Sequence, residues 1–145
     1  MLSLNSKAPP EPSLESALPA GELLLVFFKI SCPTCQLTLP FLERLHQSGR
    51  LTIYGVSQDE AGDTRQFARA FGLTFPMLLD SAAAHYPASN AYGITNVPSL
   101  FLISALRTIE WTLEGFSRSD LEGLGMRFEF TIFRPGELVP EFKPG

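Results

Sequence analysis

Leu23-Leu24-Leu25-Val26-Phe27-Phe28-Lys29-Ile30-Ser31-Cys32-Pro33-Thr34-Cys35 is the stretch that decides the fold. Its first six residues form an unbroken apolar run with Val and two Phe, the pattern of a strand buried on both faces. Directly after the cysteines, Leu37, Phe41, Leu42 and Leu45 recur at helical spacing, and Ser48-Gly49 supplies a stop. A helix over Cys35–His46 follows from that spacing, kinked at Pro40. The chain holds 2 cysteines, both in this segment. A pair three residues apart closes almost no loop and adds little stability by loop entropy, so it reads as chemistry rather than as a staple.

Working outward, Leu51–Val56 predicts a second buried strand, and Asp63-Thr64 opens a helix with Phe67, Ala70 and Phe71 inward and Gly72 as its stop. Asp59 and Glu60 are expected to cap that segment. Met77–Leu79 predicts a short extended piece, and Ala88–Tyr92 a brief helical turn. Ser99–Ile103 and Thr108–Leu113 predict two strands of an antiparallel hairpin, with Trp111 as packing. Ser119 begins a last helix that carries Leu121 and Leu124 and ends near Arg127. The expected fold is α/β, a central mixed sheet flanked by helices on both faces, because strands this apolar need cover on each side. Residues 1–21 read as a Pro-rich lead-in, 22–130 as the folded domain, and 131–145, with its prolines, as an irregular tail.

At 145 residues and 45% apolar content the chain makes one domain whose core needs neither disulfides nor a structural metal. No apolar run approaches the ~18–20 residues that cross a bilayer, so no membrane insertion is expected. The 11 basic residues are scattered among 15 acidic ones, a pattern that argues against a nucleic-acid partner. His46 and His85 lack metal-ligand spacing, so neither a metal nor a cofactor is expected. The N-terminus lacks the charged-then-apolar pattern of a secretory signal, which points to the cytoplasm.

Cys32 stands where the helix begins, facing unpaired backbone donors and the positive end of the helix dipole. Such a position favours negative charge by roughly 0.3–1 kcal/mol, or up to ~2 when partly buried. Cys32 is therefore the candidate nucleophile, and Cys35, one turn on and expected to be deeper, is the candidate resolving thiol. Pro33 suits the first turn, where its missing N–H costs nothing. Lys29 is a candidate electrostatic partner of Cys32, against the plainer reading of a solvated lysine at a strand end.

Phe27-Phe28-Lys29-Ile30-Ser31-Cys32-Pro33-Thr34-Cys35 followed by Pro40 resembles the thioredoxin-like superfamily, as does Tyr92-Gly93-Ile94-Thr95-Asn96-Val97-Pro98-Ser99-Leu100-Phe101-Leu102-Ile103. Gly55-Val56-Ser57 and Phe75-Pro76-Met77-Leu78-Leu79-Asp80 are similar to its redoxin branch, which holds TlpA-like and alkyl hydroperoxide reductase/thiol-specific antioxidant proteins. The resemblance implies a thioredoxin fold and thiol–disulfide oxidoreductase activity on protein or small-molecule disulfides, with a reductant or oxidant as second partner. It also implies a cis Pro98 facing Cys32, with Val97, Pro98, Pro33 and Thr34 as the substrate contact.

Departures from the family pattern are informative. An acid that serves the second cysteine is replaced at one usual position by Val26 and at another by Thr38, so resolution is expected to be slow or to favour alkaline pH. Ser31 stands in place of the usual aromatic. Two other functions compete. A peroxiredoxin-like peroxidase would want a hydroxyl where Lys29 stands, and a docking module would leave the dithiol silent. Tyr86, Asn90 and Tyr92 are placed near the proline loop, where exposed polarity is the simpler reading than a groove rim.

Overall fold

The structure, a computed structural model, describes residues 1–145. Five strands form one mixed sheet in the order β3-β2-β1-β4-β5: β1 (Leu23–Phe28), β2 (Thr52–Ser57), β3 (Met77–Leu79), β4 (Ser99–Ile103) and β5 (Ile109–Glu114). β1 lies at the centre, parallel to β2 and antiparallel to β4. All six of its side chains are at 0% exposure. That burial explains why the segment is apolar without alternation, and at roughly 1.5–3 kcal/mol per fully buried large side chain it is the main anchor of the fold.

The two-residue period of the strand divides the core. Leu24, Val26 and Phe28 point to one face, where they meet Leu39, Leu42 and Leu45 of α2 (Pro33–Gln47), Phe67 of α3 (Ala61–Phe71) and Leu121 and Leu124 of α5 (Arg118–Arg127). Leu23, Leu25 and Phe27 point to the other, against Leu14 of α1 (Pro12–Glu15), Ala88 of α4 (Pro87–Ala91) and Tyr92. Helices cover both faces, as the apolar strands require.

Local differences from the sequence expectation have local causes. α2 begins at Pro33 with Cys32 as its N-cap, so Cys32 precedes the first turn rather than lying in it, and the helix runs through Pro40 without interruption. Asp59 caps nothing, and Glu60 is the N-cap of α3 but makes no side-chain capping bond. β5 starts at Ile109, and residues 5–8 of the lead-in run beside its start, with Asn5 N donating to Ile109 O at 2.8 Å and Ala8 N to Arg107 O at 2.8 Å. Glu43, 8% exposed, accepts bonds from Thr74 N at 2.8 Å and from the Thr74 hydroxyl at 2.6 Å, and these bonds hold its carboxyl below the usual range. It ties α2 to the loop ahead of β3.

The tail is not irregular throughout. Ile132 and Phe133 are 1% and 5% exposed and complete the core beside Phe41, whose ring centroid is 4.8 Å from that of Phe133. Arg44 donates both guanidinium ends to Glu137 at 2.7 and 2.6 Å, holding that carboxyl down at about 2. The chain then returns as β7 (Phe142–Lys143), antiparallel to β6 (Phe116–Ser117). Gly115, at φ +84, makes the return possible: a Cβ there would stand 2.8 Å from the Lys143 carbonyl oxygen.

Candidate active site

Register brings three separate segments to one end of the sheet. Phe28 pairs with Ser57 and Phe27 with Ser99, so the residues after β1, those after β2 and those before β4 converge there. The first of these carries Cys32 and Cys35, the second Gln58 and Asp59, the third Val97 and Pro98.

Cys32 caps α2 in an extended conformation, φ −87 and ψ 115. Its Sγ accepts the Cys35 N–H at 3.1 Å, and its S–H donates to the Val97 carbonyl at 3.4 Å. The Val97–Pro98 peptide is cis. Cys32 is half-buried while Cys35 is at 0% exposure, and both thiols are free. Burial, above all, pushes the Cys35 thiol well up from its ordinary value, and its hydrogen bond to Cys32 adds to that. The Lys29 backbone opposes the shift, and the charge of Asp59 reinforces it. One sulfur therefore faces the groove while its partner waits behind it, protonated at neutral pH.

The groove has a volume of about 480 Å³. Lys29, Cys32, Pro33 and Val97 line it. Pro98 is buried beside them. Thr34 does not line the groove: it is 3% exposed, and its hydroxyl donates to the Pro144 carbonyl at 2.7 Å, so the tail covers it. Tyr86 and Asn90 do line the groove, whereas Tyr92 is buried at 2% exposure in the core beneath. Lys29 is exposed and makes no ion pair. No three His, Cys, Asp or Glu side chains come together to hold a metal ion.

Two features escaped the sequence reading. Asp59 Oδ2 accepts the Ile30 N–H at 2.8 Å, Gln36 Nε2 donates to the Ile30 carbonyl at 2.9 Å, and Gln58 N donates to the Phe28 carbonyl at 3.1 Å. Together these bonds fix the turn that presents Cys32. Asp59 is thus the carboxylate whose field reaches Cys35, in place of the acids absent at Val26 and Thr38. The second feature is the groove wall. Asp80, 1% exposed, accepts the Ala88 and Ser89 N–H groups, both at 2.8 Å, and sets α4 so that Ser89 meets Gln58 at 2.8 Å.

Asp59→Asn keeps an acceptor for the Ile30 N–H and removes the charge. The resolving step, followed as release of thiol from a Cys32 mixed disulfide, is expected to shift to lower pH by less than about one unit, because one half-buried charge is worth on the order of 1 kcal/mol. A resolving step slowed at every pH would instead make Asp59 the proton acceptor.

Similarity to known proteins agrees with this geometry. The AhpC/TSA family matches residues 6–112. Over 85 residues the chain is 32% identical to the thiol-disulfide oxidoreductase ResA of Geobacillus thermodenitrificans (strain NG80-2), a match covering 56% of this chain and 47% of that protein. The chain thus spans about half the length of that relative. The fold matches the thioredoxin domain of a thiol-disulfide oxidoreductase from Bacteroides vulgatus, with TM-score 0.73 and 20% identity over 88% of this chain and 99% of that one. It also matches a thiol:disulfide interchange protein from Bacteroides sp., with TM-score 0.69 and 21% identity over 88% of this chain and 90% of that one.

Proposed function

This chain belongs to the AhpC/TSA family, and on that footing we propose that it is a thiol–disulfide oxidoreductase working through Cys32 and Cys35. The observation that carries the reading is the placement of the Cys32 sulfur, open to the groove, 3.1 Å from the Cys35 N–H and 3.4 Å from the Val97 carbonyl, with a second free thiol directly behind. The Cys32 thiolate attacks one sulfur of a substrate disulfide, forms a mixed disulfide and expels the other half as thiolate. Cys35 then gives up its proton and attacks the Cys32 sulfur. The second substrate thiolate leaves, and the Cys32–Cys35 disulfide holds the oxidation equivalents until a dithiol partner reduces it. Run in reverse, the same steps oxidise a dithiol substrate, and the reduction potential decides the direction.

A specific observation weighs against the peroxidase reading. Lys29 stands where a peroxidase would place its hydroxyl, and no arginine lines the groove to hold a peroxide. The reduced chain is expected to accelerate disulfide reduction under a dithiol reductant and to leave hydrogen peroxide consumption near the uncatalysed rate. Peroxide turnover matching disulfide turnover would reverse the assignment. A docking role alone would leave both assays at background.

A further inference from the structure

The exchange chemistry does not account for the way the tail closes one side of the groove. Glu141–Gly145 form a strap with several anchors. Arg118 N donates to the Glu141 carbonyl at 2.9 Å, Phe142 and Lys143 pair with Ser117 and Phe116, and Thr34 donates to the Pro144 carbonyl at 2.7 Å. At Gly145 the strap lies against the Val97 carbonyl, so closely that a Cβ there would collide with its oxygen and stand 2.9 Å from its carbon. That carbonyl accepts the S–H of the attacking sulfur at 3.4 Å. An extended polypeptide docking as an added strand would need the same edge. The strap contributes little to the core, with Phe142 61% exposed, and is held mainly by hydrogen bonds.

What stays open beside Cys32 is a polar recess of about 480 Å³, within the range that encloses small molecules. Gln58, Tyr86, Asn90, Thr95 and Asn96 line it, and Lys29 is its one charged side chain. We propose that the strap Glu141–Gly145 sets substrate choice, excluding disulfides presented on extended polypeptide and leaving the recess to a small disulfide whose carboxylate meets the Lys29 ammonium. This selectivity rests on the oxidoreductase reading. The electron balance is that given above: two electrons pass from the Cys32/Cys35 dithiol to the small disulfide, which leaves as two thiolates, and a dithiol reductant restores the pair.

The test compares three probes against the reduced chain: 3,3′-dithiodipropionate (small and anionic), 2-hydroxyethyl disulfide (small and neutral) and insulin. The intact chain is expected to prefer the anionic over the neutral probe by about threefold, the size of one exposed charge contact. Lys29→Gln is expected to erase that preference. Removing residues 141–145 is expected to raise the insulin-to-dithiodipropionate rate ratio about tenfold, the worth of one or two recovered backbone hydrogen bonds. An unchanged far-ultraviolet circular dichroism spectrum serves as the check that the chain is still folded. Lys143→Pro, which removes the strap N–H that faces Phe116 in the pairing with β6 without shortening the chain, is expected to act in the same direction. An insulin-to-dithiodipropionate ratio unchanged in both variants overturns the proposal while leaving the oxidoreductase reading intact. An intact chain inert to all three probes overturns both.

Discussion

Cys32→Ser is expected to bring disulfide reduction down to background, a loss on the order of a thousandfold or more. A serine hydroxyl at the same N-cap is neither ionised at neutral pH nor able to leave as a thiolate does, so both the attack and the resolution it permits are lost. Cys35→Ser is expected to fail differently. Cys32 keeps its exposure and its contact with Val97, so the first attack proceeds, but nothing behind it displaces the bound half-substrate. One equivalent of thiol is released in a burst, and intact-mass measurement finds a single adduct on Cys32. Since Cys35 is at 0% exposure, it has no other route to substrate than through its neighbour. Multiple turnovers by Cys35→Ser at the unmodified rate would remove Cys35 from the reaction and leave a monothiol mechanism. Each variant therefore tests one of the two roles that the difference in burial assigns.

The burial difference was legible from the sequence, and so was much of the frame around it. β1, β3 and β4 have the bounds their residue pattern predicts, because an apolar run between breakers needs no partner to be recognised. The Val97-Pro98 pair was found by resemblance; composition and periodicity would have left it a turn ahead of a strand. What was illegible depends on residues distant in the chain. Asp59 looks like one more acid near a helix start, and only the parallel register of β1 and β2 brings it to the Ile30 N–H. Thr34 sits inside the most informative tetrapeptide, yet its contact is with Pro144, which lies 110 positions away. The tail's prolines argue against regular structure, and they are right for most of it. A two-residue pairing is too short to leave a period, and Gly115, whose missing Cβ admits Lys143, reads locally as an ordinary loop glycine.

Phe27→Ala is expected to be the costliest single truncation for stability, at about 3–5 kcal/mol. Phe27 is at 0% exposure, with the Tyr92 ring at 5.2 Å and the Phe101 ring edge-on at 5.8 Å, so the cavity left behind is walled by two large side chains that rotate only at the expense of their own contacts. Burial is so complete here that the Tyr92 phenol is pushed up to about 12. In a chain of this length the loss corresponds to a fall of roughly 10 °C or more in Tm, read by calorimetry. The chemical consequence is expected to be small, for a topological reason. Phe27 faces α1 and α4, whereas Cys35 packs on the opposite side of the sheet with Leu24, Val26 and Phe28. Below its lowered melting range, Phe27→Ala should still reduce dithiodipropionate at close to the unmodified rate, with any change arising through α4 and the Ser89–Gln58 contact at the groove wall. A variant that is folded by circular dichroism at the assay temperature but has lost its dithiodipropionate reduction would mean that the two faces are coupled through β1. The position of the nucleophile would then depend on packing across the whole sheet rather than on the turn held by Asp59, Gln36 and Gln58.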